Sequence, residues 1–203
     1  MQRDAQEIAP GRVPRGPLLQ EKAGRERRTL VFVDERGFYL LPSVVKTYAL
    51  RGQTPILEEW QTRDPLWARG AVTLTGKLYC LLRAQSLRGL HSLAFWIHLQ
   101  RQGGDPLLVI WEGSAIHGRA EVVALLAAQR GTLLHVQALP PYAPELNPVE
   151  WLWQHLKNQE LRKLTCLDLE PLHLELHLAL GRVRQVAGLV HSFFEAAQIE
   201  PAN

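Results

Sequence analysis

Three acidic residues stand out in this chain of 203 residues, because each follows a segment whose backbone is expected to be rigid. Asp34 follows the apolar run Thr29-Leu30-Val31-Phe32-Val33, Glu112 follows Leu107 to Trp111, and Glu150 follows Asn147-Pro148-Val149. Nearly continuous apolar runs of this length read as strands covered on both faces. Asn-Pro reads as a helix entry, since Asn caps and Pro is preorganised at the first helical position. Neighbouring parallel strands would bring Asp34 and Glu112 to the carboxyl edge of a sheet, with Glu150 on a helix packed nearby. Crowded carboxylates repel one another unless a cation neutralises them, and hard Mg²⁺ or Mn²⁺ suits an all-oxygen donor set. Two such ions support an in-line phosphoryl displacement. The competing reading is that Asp34 and Glu112 simply end their strands with a polar residue.

The sequence around these acids carries a resemblance. The block Leu139-Pro140-Pro141-Tyr142-Ala143-Pro144-Glu145-Leu146-Asn147-Pro148-Val149-Glu150 is the most specific part. With it go Val33-Asp34-Glu35-Arg36-Gly37-Phe38, Arg51-Gly52-Gln53-Thr54-Pro55, and the stretch from Leu107 through Trp111-Glu112-Gly113 to His117. Together they resemble DDE transposases of the mariner superfamily, in its bacterial insertion-sequence branch, over nearly all the chain after its first segment. The resemblance implies an RNase H-like fold, with Asp34, Glu112 and Glu150 as catalytic residues holding one or, more in keeping with the family, two Mg²⁺ or Mn²⁺ ions. It implies DNA as partner, both transposon ends and target, with hydrolysis at the ends followed by strand transfer, and a homodimer on the DNA. Members also carry N-terminal helix-turn-helix segments. None is visible here, so the chain reads as a catalytic portion, either a truncated copy or one half of a split gene; in the second case a separate helix-turn-helix polypeptide is the expected partner. The expected location is the bacterial cytoplasm, at the nucleoid when DNA is bound.

One position departs from the family, which carries Asp where this chain has Glu112. The added methylene is about 1.5 Å of extra bond, against a catalytic tolerance of roughly 0.5 Å. Two readings therefore stand: an active transposase domain, or a decayed one that keeps the fold or weak nucleic-acid binding. A nuclease acting on RNA–DNA hybrids shares the implied fold, but the proline-rich block belongs to the transposase branch.

His117, Asn147 and Lys157 are candidate DNA contacts. His117 follows Glu112 near a helix start, where a local hydrogen bond is the alternative role. Lys157 lies two helical turns past Glu150 and is placed to meet phosphate in the same cleft. Glu35 and Glu145 flank the proposed ligands and read as solvated. Trp151 and Trp153 suit either stacking on bases or helix packing, the default for adjacent aromatics. His173 and His177 share a helix face, yet lack the His-Glu-x-x-His order of zinc proteases and read as solvated.

The elements that must position these residues follow from periodicity. Residues 1–28, with Pro10, Pro14 and Pro17 and no sustained period, are expected to be a linker or disordered arm. Residues 29–197 read as the RNase H-like domain and 198–203 as a tail. Strands are expected at Thr29–Val33, Val44–Leu50, a hairpin from Gly70 to Leu82 turning at Thr75-Gly76-Lys77, Pro106–Trp111 and Thr132–Leu139. Helices are expected at Gly89–Gln102, about Ile116–Arg130, after Pro148, and from Leu169 to Phe194. The alternation predicts an α/β fold, a mixed sheet flanked by helices with a C-terminal helix.

Composition bounds the rest. At 46% hydrophobic, the chain suits one domain with a sizeable core. No apolar run reaches membrane-spanning length, so no membrane role is expected. Cys80 and Cys166 read as reduced and structural. The net charge of +3 resides in residues 1–28, leaving the remainder neutral, so DNA contacts would have to come from local patches.

Overall fold

The structure is a computed structural model describing residues 15–40, 65–87, 89–103, 106–111, 134–138, 144–162, 164, 166 and 168–199. Five strands form one sheet: β1 (Thr29–Phe38), β2 (Leu66–Thr73), β3 (Leu78–Arg83), β4 (Leu107–Trp111) and β5 (Leu134–Ala138). Their order is β3-β2-β1-β4-β5, antiparallel through β3-β2-β1 and parallel through β1-β4-β5. The ten-residue β1 is thus the central strand, paired along both edges. The β2–β3 hairpin turns where expected, with Gly76 at φ 79°, a left-handed backbone that favours glycine.

The helices are α1 (Arg15–Glu26), α2 (Gly89–Gly103), α3 (Pro148–His155), α4 (Leu169–Gln185) and α5 (Leu189–Ala196). Strand side chains alternate between faces, so β1 feeds two cores. Leu30 and Phe32, with Ala68, Val72, Leu108 and Ile110, pack beneath α3, α4 and α5. Val31 and Val33, with Ala71, Val109 and Trp111, pack against Phe95, Trp96 and Leu99 of α2. Both faces of the sheet are covered, which explains the unbroken apolar runs of β1 and β4.

Two expectations are corrected. Within residues 1–28, expected to be a linker or disordered arm, Arg15–Glu26 is a helix with Leu19 and Ala23 buried in the larger core. Those two residues lie one turn apart, a short apolar stripe that three neighbouring prolines obscure. The long C-terminal periodicity is helical, as read, but breaks at Val186-Ala187-Gly188, where Gly188 has φ 78°. The strand expected at Val44–Leu50 and the helix at about Ile116–Arg130 lie outside the described residues. Among the described residues, no helix is long and apolar enough to cross a membrane.

Candidate active site

β1 does not stop at Val33 as expected: pairing with β2 carries it on to Phe38, so Asp34 lies past the middle of the strand rather than at its end, with its side chain pointing to the α3 face of the sheet. It is 6% exposed and accepts a hydrogen bond at Oδ2 from the indole Nε1–H of Trp153, at 2.8 Å.

Glu150 stands in the first turn of α3, near the positive end of the helix dipole. The local sequence fixes this helix start. Asn147 is the N-cap, its side chain accepting from the Val149 N–H at 3.1 Å, and Pro148 opens the helix. Asn147 also donates through Nδ2 to the Val33 carbonyl at 3.3 Å. Glu150 in turn is held by Arg36, Oε2 to Nη1 at 3.3 Å. Three polar ties therefore run from α3 and its cap to β1: Asn147 to Val33, Trp153 to Asp34, and Glu150 to Arg36. They bracket Asp34 and Glu150 along one seam.

Glu112 and His117 lie outside the described residues. The parallel register ends on Val33 opposite Trp111, so Asp34 and Glu112 are the next residues of the two chains. Among the described residues, no three His, Cys, Asp or Glu side chains group as a metal site. Asp34 and Glu150 still fit a hard divalent cation: both are carboxylates, both are mostly shielded from water, and a cation already sits beside Glu150.

Lys157 belongs to a π-helical turn, Leu156–Glu160, that continues α3 and closes through Leu161 N–H to the Leu156 carbonyl. Its ammonium lies 5.6 Å from the centre of the Phe38 ring. Burial and then the Arg36 charge push its pKa down, while Glu150 opposes the shift. Arg36 and Lys157 thus place two cations beside the carboxylates. Such a rim can meet a phosphate backbone.

Several expectations change at this point. Asn147 is fully buried with both ends of its amide bonded inside the fold, so it is a cap and strand tie rather than a DNA contact. Glu35, read as solvated, pairs instead with the buried Arg69 on the α2 face. Glu145, His173 and His177 are exposed, as expected. Trp151 donates to the Glu145 carbonyl at 3.1 Å and is partly buried. Cys80 and Cys166 are free thiols. Sequence reasoning does not anticipate the bond from Trp153 to Asp34 or that from Arg36 to Glu150. Their signal was spacing: Trp153 lies three residues past Glu150 on the same helix face, and Arg36 two past Asp34 on the same strand face.

The chain is similar in fold to solved transposase structures. It matches the Mos1 transposase paired-end complex with left transposon end at TM-score 0.64 and 14% identity, covering 99% of this chain and 61% of that one. It matches the Mos1 mariner paired end complex with Mn at TM-score 0.63 and 15% identity, with coverage of 98% and 62%. The catalytic domain of Mos1 mariner transposase matches at TM-score 0.61 and 11% identity, covering 99% of this chain and 91% of that domain. The chain thus spans about three fifths of the length of the transposases in the paired-end complexes. These likenesses show the RNase H-like fold that the sequence implied. No curated protein sequence matches the chain. The model described as DDE superfamily endonuclease matches residues 29–172, from the first residue of β1 into α4, and by that match the chain belongs to the DDE superfamily endonuclease family.

Proposed function

We propose that this chain is the catalytic domain of a transposase from the bacterial insertion-sequence branch of the mariner superfamily, cutting DNA at transposon ends and joining it to a target. The observation that carries this reading is the β1–α3 seam, which brackets Asp34 and Glu150 on one face of the sheet.

Asp34, Glu112 and Glu150 would hold the divalent ions. Bound there, Mg²⁺ or Mn²⁺ would activate an attacking oxygen and stabilise a leaving one. Trp153 and the α3 cap hold the carboxylate-bearing backbone in place. Arg36 and Lys157 supply positive charge for the DNA backbone, and His117 is proposed as a further phosphate contact. The similar Mos1 transposase complexes, with left transposon end, with Mn and with Mg, support the choice of partner and cation. A homodimer on DNA and a separate helix-turn-helix subunit belong to the same proposal.

The alternative, a decayed domain retaining only its fold or weak nucleic-acid binding, is favoured by Glu112 standing where the family carries Asp. A nicking assay separates the two. DNA carrying the element's terminal repeats is incubated with Mn²⁺, the chain and any separately encoded recognition subunit. Nicking that Asp34→Asn and Glu150→Gln abolish supports an active transposase. Equal nicking by all three proteins would rule out the catalytic assignment.

A further inference from the structure

Trp153 is 1% exposed, yet its one polar atom is not left among apolar neighbours: it donates to Asp34 Oδ2 at 2.8 Å. An indole buried this deeply needs an acceptor, but a backbone carbonyl would serve as well as a carboxylate. Here the acceptor is the side chain placed by β1 at the proposed metal site. The residue directly across the β1–β2 pair from Asp34 is Gly70. A Cβ at Gly70 would lie 2.7 Å from Trp153 Cη2 and 2.9 Å from Cζ2, closer than real Cβ atoms come to anything. The bare Cα at Gly70 therefore creates the slot through which the indole crosses β2 to reach Asp34. The Phe38 ring also packs against the indole, 5.7 Å away centre to centre and inclined at 75°.

These constraints act on one another. Gly70 and Phe38 leave the indole little freedom to turn, so its N–H has a fixed direction. Asp34 must meet that direction, which sets the rotamer and plane of its carboxylate. Trp153 also sits one helical turn from Glu150, so the same short helix that carries one proposed ligand orients the other. We propose that Trp153, seated on Gly70, is a positioning residue that presents the Asp34 carboxylate to the divalent cation. The inference rests on the metal-site reading above and assigns Trp153 a role beyond packing.

The test measures Mn²⁺ binding directly, by the loss of the free-ion paramagnetic resonance signal on titration, with no DNA present. Four proteins are compared: the parent chain, Asp34→Asn, Trp153→Phe, and a chain with benzothienylalanine at position 153. The last keeps the bicyclic shape of tryptophan and replaces its N–H by sulfur, so packing survives while the donor is lost. Outer hydrogen-bond partners of metal ligands typically contribute 10–100-fold in affinity. The benzothienyl chain is therefore expected to bind Mn²⁺ about tenfold more weakly at an unchanged thermal midpoint, with Trp153→Phe at least as weak. Parent-like affinity in the benzothienyl chain overturns the positioning role, and if Asp34→Asn still loses binding the metal-site reading stands without it. If the parent takes up no Mn²⁺, or Asp34→Asn binds as the parent does, the metal reading itself fails and takes the inference with it.

Discussion

Arg69, with no exposed surface, faces Glu35 directly across the β1–β2 pair and binds it through Nε at 2.8 Å. Its guanidinium lies 5.9 Å from the centre of the Phe95 ring and 5.5 Å from that of Trp111. Burial pushes its pKa down and Glu35 pulls it back up. Asp34 and Glu35 therefore face opposite sides of one strand, the first towards α3, the second towards a buried cation.

Removing one partner of such a pair strands the other charge, at a cost of about 3–5 kcal/mol, whereas apolar replacement of both is often neutral. Urea unfolding of Glu35→Gln should show that loss, and the double variant Glu35→Leu with Arg69→Met should recover most of it. Additive losses in the double variant would mean that the two side chains do not act as a pair.

Helix α1 should contribute to the stability of the whole domain. Leu19 is buried while its neighbour Leu18 is 58% exposed. Leu19→Ala should cost about 2 kcal/mol, and Leu18→Ala should stay within about 0.5 kcal/mol of the parent. Equal thermal midpoints for both variants would detach α1 from the core.

Glu112→Asp restores the shorter carboxylate of the family. In the nicking assay described above, it should raise activity, most clearly with Mg²⁺, which demands near-ideal octahedral geometry. A fall in activity would instead make Glu112 an adapted ligand, with the rest of the site built around its greater length.

Cys80 provides a pH test. Burial raises its thiol pKa to about 12, and the nearby Arg184 charge offsets this only partly. The thiolate is the reactive form, so its population stays very small until the pH approaches that value. The side chain is only partly buried, so the raised pKa rather than complete occlusion slows its reaction. Iodoacetamide at pH 8 should label Cys80 much more slowly in the folded chain than in urea. Mass spectrometry showing equal labelling rates in both states would contradict the raised pKa.

The sheet and the start of α3 were legible because their signals are local. Apolar runs mark β1 and β4, Thr75-Gly76-Lys77 marks the hairpin turn, and Asn147-Pro148 marks a helix start. Membership of the transposase family was legible from the proline-rich block. What escaped was pairing across distance. Nothing near Glu35 announces Arg69, and nothing near Gly70 announces Trp153, since each pairing exists only once β2 lies beside β1. Helix α1 escaped because its buried stripe is two residues long. The break at Gly188 escaped because apolar periodicity runs through it on both sides.

Helix α3 has only eight residues, well below the length at which an isolated helix persists in water. Its ties are to β1, the central strand of the sheet. Opening α3 alone would expose Leu152 and Trp153 and strip three polar partners from β1 at once, so local fraying has no low-energy route. The amide protons of Leu152 and Trp153 should therefore exchange with solvent only when the central strand itself opens. In exchange terms, strand and helix are a single foldon, and the spacing between Asp34 and Glu150 persists for as long as the domain stays folded.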